Sequence, residues 1–163
     1  MPIIRSIRQD DLPTILKLNN ANLPAVSLLD LDELESDLEV AEHALVIVAD
    51  EVLGFCVTFP SGLDVDLGTN YKWFSDRYDD FLYLDRVVID AAHRSRGLGE
   101  ALYREVERRM RSEGRTSRFT CEVNLQPRNE SSLRFHARLG FEQVGEQQAK
   151  PGIIVAMLAK TVS

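Results

Sequence analysis

The residues with the most chemical content lie in Leu84–Glu107, LDRVVIDAAHRSRGLGEALYREVE. Within it, Arg94-Ser95-Arg96-Gly97-Leu98-Gly99 reads as a loop between a buried strand and an amphipathic helix. Such a loop can hold a phosphate. The first N–H groups of a helix have no partner inside it, and the helix dipole adds partial positive charge. Glycines let the backbone approach the ligand, and Arg94 and Arg96 add forked donors. The six-residue pattern alone is weak. Its position after a strand and at a helix start is what a phosphate site requires. A second stretch, Asn129-Glu-Ser-Ser-Leu-Arg-Phe-His-Ala-Arg-Leu-Gly-Phe141, places Ser132, His136 and Arg138 on one capped helix.

The positioning elements follow from periodicity. Ile3–Arg8 is a short strand. Asp10 or Asp11 caps a helix with Pro13 in its first turn, and that helix ends near Asn19-Asn20. Asp30 or Asp32 caps a second helix over Glu33–Ala41. Ala44–Ala49 and Leu53–Phe59 form a hairpin. Pro60–Asp80 is irregular, with a turn or two of helix at Trp73–Tyr78. Phe81–Ile89 is the central strand, on which Tyr83, Asp85, Val87 and Ile89 share a face. Gly97–Arg111 is a helix with apolar stripe Leu98, Ala101, Leu102, Val106 and Met110. It carries the i, i+4 pairs Glu100/Arg104, Glu105/Arg109 and Glu107/Arg111 and stops at Gly114. Strand Arg118–Val123, helix Glu130–Leu139 and strands Phe141–Val144 and Gly152–Leu158 complete the chain. The order β-α-α-β-β-β-α-β-α-β-β predicts one α/β (α+β) domain over residues 1–163.

Composition narrows the class. The 163 residues carry net charge −7, which argues against a nucleic-acid binder. Residues 1–90 carry −12 and residues 91–163 carry +5. That split suits an anionic ligand at the arginine loop and a cationic one opposite, unless the two halves interleave in space. Cys56 and Cys121 lie far apart in strand-like runs, as reduced core thiols of a cytoplasmic protein do. No leader-like or membrane-length apolar run is present, so no membrane partner is expected.

Together the two stretches resemble the GNAT (Gcn5-related N-acetyltransferase) superfamily. Arg94–Gly99 matches its [QR]-x-x-G-x-[GA] loop, and Asn129–Phe141 matches its N-x-x-[AS]-x-x-[FL]-[YH]-x-x-x-G-F helix, in the right order and spacing. The resemblance implies a mixed central sheet of about six to seven strands with helices on both faces. It also implies transfer of an acetyl group from acetyl-CoA to an amine, without a metal. Val87, Val88 and Ile89 would then offer backbone to the pantetheine. Arg94, Ser95, Arg96, Gly97, Leu98, Gly99 and Glu100 would surround the pyrophosphate. Asn129, Ser132 and Phe135 would lie along the pantetheine arm. Arg138 would reach a phosphate, or simply stand in solvent. His136 occupies the place of the family's tyrosine acid, and a packing or capping histidine is the competing reading. The variant ending in Ser132 and His136 is similar to the phosphinothricin-type branch.

The acceptor amine must lose a proton. Asp85 is the first candidate base or amine anchor, with an ion pair to Arg86 as the alternative. Tyr83 falls where some relatives carry a glutamate base, and Glu122 on the next strand is second choice. Cys121 has no histidine or aspartate partner at a suggestive spacing, so a buried thiol is expected there. Trp73, Phe74 and Tyr78, set among aspartates, could receive an ammonium group or could plug the core. Asn20 is a further acceptor-side candidate. The expected acceptor is a small cationic primary amine. A protein N-terminal or lysine acetyltransferase and a non-catalytic acyl-CoA-binding module are the alternatives. Dimers are common in the family, and the closing strands could supply a homodimer interface.

Overall fold

The computed structural model describes all residues from Met1 to Ser163. The elements run β1 (Ile3–Ser6), α1 (Leu12–Asn20), α2 (Leu31–Val40), β2 (Ala44–Val48), β3 (Val52–Pro60), α3 (Thr69–Arg77), β4 (Leu82–Ile89), α4 (Leu98–Glu113), β5 (Arg118–Gln126), α5 (Glu130–Leu139), β6 (Glu142–Lys150) and β7 (Ile153–Thr161). Seven strands form a mixed sheet in the order β1-β2-β3-β4-β5-β7-β6. The chain divides into two compact units, residues 1–59 with 84–112, and residues 60–83 with 113–163. Strand β4 contributes to both.

The first unit holds α1, α2 and α4 with β1, β2 and most of β3 and β4. The expected hairpin is present, with Leu45 opposite Cys56 and Val46 opposite Phe55. Gly54 is required by close packing: a Cβ there would stand 2.7 Å from the Val88 carbonyl oxygen and 2.6 Å from Ile89 Cδ1. Asp30 is the cap of α2, its carboxylate accepting from the Glu33 N–H at 2.8 Å. Asp11 precedes α1 without capping it by its side chain. Its carboxylate instead accepts from Arg5 at 2.7 and 3.0 Å and from the Arg8 N–H at 2.7 Å. That bidentate pair holds the Asp11 carboxyl below the usual range. On α4, Leu98, Leu102, Val106 and Met110 are buried, together with Tyr103 and Glu107. The three i, i+4 pairs are all formed, at 3.5, 2.9 and 3.9 Å. Arg108 joins Glu105 as well, and the two arginines pull the Glu105 carboxyl down to about 2.

The second unit is organised by β5, β6 and β7. Strand β5 starts parallel to β4, with Leu82 opposite Phe119 and Tyr83 opposite Thr120, and runs antiparallel to β7. Strands β6 and β7 are longer than expected, nine residues each. For β6, EQVGEQQAK, the cause is composition: its half-buried positions are Gly145, Gln147 and Ala149, which carry little apolar signal. Helix α3 begins at Thr69, so more of the Pro60–Asp80 segment is helical than its sequence suggests. Gly145 makes room for it, since a Cβ there would stand 2.3 Å from the Trp73 ring.

Candidate active site

In the first unit the arginine loop behaves as an exposed helix entry. Arg94, Ser95, Arg96 and Gly97 are exposed, and the Ala101 N–H donates to the Gly97 carbonyl at 3.0 Å, opening α4. Ser95 has φ 63° and Gly97 φ 76°. The left-handed serine costs on the order of 1 kcal/mol, the kind of backbone strain that clusters at ligand-holding loops. A Cβ on Gly97 would meet nothing within 4 Å, so the space beside it is open. Sixteen residues of α4 stand behind that opening. Leu98 faces the core, Gly99 is half-buried, and Glu100 pairs with Arg104. Arg94 donates to Asn22, which ties the loop to the segment between α1 and α2. Before the loop, Val87 and Ile89 are half-buried while Val88 is buried. The fit to a nucleotide pyrophosphate is good: exposed cations, open backbone and a long helix N-terminus.

Asp85 lies on the half-buried phase of β4 with Val87 and Ile89, whereas Leu84, Arg86 and Val88 occupy the buried phase. Its side chain retains 22% exposure, with Oδ2 3.5 Å from Arg86 Nε. Burial pushes the Asp85 carboxyl up to about 6; Arg86 opposes the shift, and Asp37 and Glu33 of α2 add to it. Asp37 is also raised, first by burial. Arg86 lies among these carboxylates, 3.6 Å from Glu33, and is itself only 8% exposed. The sequence flagged Asp85, yet treated Arg86 only as its ion-pair partner. The available signal was its phase: a cation on the apolar face of a strand must have partners waiting.

Asn20 does not present free polar groups to an acceptor. Its Oδ1 accepts from the Leu29 N–H at 3.0 Å and from Asn19 at 3.0 Å, and its Nδ2 donates to the Leu29 carbonyl at 2.9 Å. It is a clasp for the 21–30 segment.

In the second unit Tyr83 is buried and donates to Glu122 Oε1 at 2.5 Å. Its ring packs against Tyr71 and Phe74, at centroid distances of 5.7 and 5.9 Å. Tyr83 therefore aims the Glu122 carboxylate, a link that spacing could not show. Phe74 is 0% exposed and Trp73 is 8% exposed. Arg77 covers the Trp73 ring at 3.8 Å, and Arg118 covers the half-buried Tyr78 at 4.0 Å. Trp73 and Phe74 of α3 thus pack into the unit, and the cation–π partners of Trp73 and of Tyr78, just past the helix, are the chain's own arginines. Cys121 is buried and its thiol is pushed well up by burial, so it is no nucleophile; Cys56 is pushed up to about 12.

Helix α5 carries the remaining residues. Asn129 caps it, accepting from the Ser132 N–H at 3.2 Å, and Gly140 ends it in the left-handed conformation at φ 99°. Phe135 is half-buried, and the exposed Arg138 reaches over its ring at 5.5 Å. His136 is 6% exposed and lies between Phe135 and Phe141. Its Nδ1 lies 2.7 Å from the Ser132 carbonyl oxygen. A carbonyl only accepts, so Nδ1 carries the proton and the neutral ring has its lone pair at Nε2. Burial lowers the His136 pKa, opposed by that hydrogen bond. The shift favours the neutral ring, with its proton on Nδ1 toward Ser132.

That assignment has a pH signature. The folded-state pKa lies below the unfolded one, so the unfolded chain binds more protons between them. The stability held by neutral His136 is complete above the ordinary histidine value and is lost as pH falls below it. Denaturant titrations at pH 7.5 and 5.0 should show a smaller acid loss in His136→Phe than in the parent. Equal losses would mean that the ring is not held neutral.

A family model described as Acetyltransferase (GNAT) family matches residues 5–141. Solved structures share the fold at low identity. The ribosomal-protein-S18-alanine N-acetyltransferase of Escherichia coli superposes at TM-score 0.76 and 17% identity, covering 100% of this chain and 95% of that one. Arabidopsis thaliana NAA60 in complex with acetyl-CoA gives 0.78 and 15%, covering 99% and 100%. The ribosomal-protein-alanine N-acetyltransferase of Brucella melitensis gives 0.73 and 22%, covering 98% and 99%. No curated protein sequence matches significantly. No helix is long and apolar enough to cross a membrane.

Proposed function

Because the chain belongs to the GNAT acetyltransferase family and uses acetyl-CoA as co-substrate, we propose that it acetylates a small cationic primary amine by direct attack in a ternary complex. The observation that carries this reading is the group formed by Asp85, Asp37 and Glu33 around the single cation Arg86. With all four groups ionised, the cluster has an excess of negative charge that attracts an ammonium ion.

Acetyl-CoA supplies an activated acetyl thioester. Arg94, Ser95, Arg96, Gly97, Leu98, Gly99 and Glu100 would hold its pyrophosphate, largely through backbone N–H groups. Val87, Val88 and Ile89 would offer backbone to the pantetheine. Asp85 would take the ammonium proton, since a carboxyl near 6 is ionised at pH 7 yet more basic than an ordinary aspartate. The neutral nitrogen then attacks the thioester carbonyl, the N–C bond forms and the C–S bond breaks; CoA departs as the thiolate and is protonated by the proton that the new amide nitrogen loses. Glu122, aimed by Tyr83, is the second candidate base. The buried free thiols fit a cytoplasmic location.

A protein N-terminal substrate is the second reading, favoured by the names of the structural neighbours from Escherichia coli and Brucella melitensis. Both readings are tested by following CoA release with acetyl-CoA and a panel of diamines, aminoalkyl compounds, neutral-tailed amines and short peptides. The first predicts fastest turnover with small dications. Preference for peptides with a free N-terminus supports the second, and no release with any acceptor overturns both.

A further inference from the structure

Arg86 has a location that the acetylation chemistry does not require. It stands on the buried phase of β4, and its guanidinium is shared among three elements. Nη1 donates to Asn19 Oδ1 at 3.1 Å and to the Ser27 carbonyl at 2.8 Å; Nη2 donates to Ser27 Oγ at 2.9 Å and lies 3.6 Å from Glu33. Asn19 Nδ2 also donates to the Ser27 carbonyl, at 2.9 Å. One cation thus gathers the end of α1, the 21–30 segment and the start of α2. Nε is the exception: it is buried, has no hydrogen-bond partner, and lies 3.5 Å from Asp85 Oδ2.

We propose that Arg86 is the positioning residue of the acceptor side, clasping the α1–α2 segment onto β4 while standing just too far from Asp85 to occupy its lone pairs. The inference rests on the assignment of Asp85 to the acceptor amine. Two other carboxylates of this unit show what a closer arginine does. Asp11, held by Arg5 at 2.7 and 3.0 Å, is acidified. Glu105, held by Arg108 and Arg109 at 2.7–3.0 Å, falls to about 2. A carboxylate so acidified would be a poor base. Arg86 spends its donors on neutral oxygens of the segment instead, so its charge offsets part of the Asp85 burial without quenching its basicity. The charged groups facing Asp85 are Arg86 on β4 and Glu33 and Asp37 on α2.

The test is a carboxyl NMR titration of Asp85, its signal identified by loss in Asp85→Asn, in the full chain and in Arg86→Lys, Arg86→Met and Ser27→Ala. Amine KM and acetyl-CoA Kd are measured alongside. Arg86→Met should raise the Asp85 midpoint by about one pH unit and amine KM by roughly 10-fold, with acetyl-CoA Kd within about 2-fold of the parent. Arg86→Lys should restore the midpoint and not the KM, because it returns the charge without the fork. Ser27→Ala should raise KM by roughly 3-fold at an unchanged midpoint. If Arg86→Met does not fold, the lysine and Ser27→Ala variants carry the test. An unmoved midpoint in Arg86→Met, or a lysine variant that restores KM fully, overturns the proposal, as does a parallel loss of acetyl-CoA affinity. The titration and the acetyl-CoA Kd need no turnover, so failure to find any acetylated amine strikes the function and with it the acceptor-side role, while an unmoved midpoint strikes the Arg86–Asp85 arrangement alone.

Discussion

Asp85→Asn is expected to lower kcat/KM for amine acetylation by roughly 10²–10⁴-fold, the usual loss for a positioned base, while leaving acetyl-CoA affinity in place. In the parent, activity should rise with pH as Asp85 ionises about pH 6. Rates at pH 5 should be roughly one tenth of the plateau, and the variant should lack that acid limb. Stability should move the other way. The folded-state pKa is raised from 3.8 to about 6, so the folded chain binds more protons than the unfolded one between those values. Ionised Asp85 is thus a cost above pH 6 that disappears as pH falls toward 3.8. The variant should gain on the order of 2–3 kcal/mol at pH 7, a gain that vanishes near pH 4. Lower activity together with lower stability would indicate a structural carboxylate. An unchanged rate would transfer the base role to Glu122.

Phe74→Ala should unfold more easily rather than bind amine less tightly. The ring is fully buried and touches Trp73, Tyr78, Phe81 and Tyr83, with centroids 5.2–6.4 Å away. Its loss should cost about 3–5 kcal/mol, or on the order of 10 °C in Tm for a chain of this length. Phe74→Leu should recover most of that stability with an unchanged amine KM. A several-fold rise in amine KM for Phe74→Leu at parental Tm would instead place the ring against the ligand.

The contrast between Asp85 and Phe74 explains which expectations could be read early. Both lay among residues with a plausible acceptor role. Asp85 interrupts an apolar strand, and a charge there must be explained whatever the fold. Phe74 sits in an irregular aspartate-rich stretch where an aromatic ring can face either way. Burial decides that, and burial belongs to the packed unit. The same holds for Asn20, whose amide chemistry suits an acceptor or a loop clasp equally until Leu29 is found against it. Strand β6 lacked the apolar alternation by which strands are recognised, because its inward positions are Gly145, Gln147 and Ala149.

The amino-acid sequence by itself determined the family. That depends on local features: a strand, a glycine entry to a helix, an asparagine cap and a glycine stop, each acting within a few residues. The tertiary structure decided the protonation and partners of the groups that would do chemistry. His136 is biased toward the neutral ring because burial disfavours charge, while its Nδ1–H donates to the Ser132 carbonyl. Tyr83 aims Glu122 from 39 residues away. Arg86 draws Asn19 and Ser27 to β4 across 67 and 59 residues. Proton affinities depend on desolvation and on charges within a few ångströms, and only the folded chain brings those charges that close.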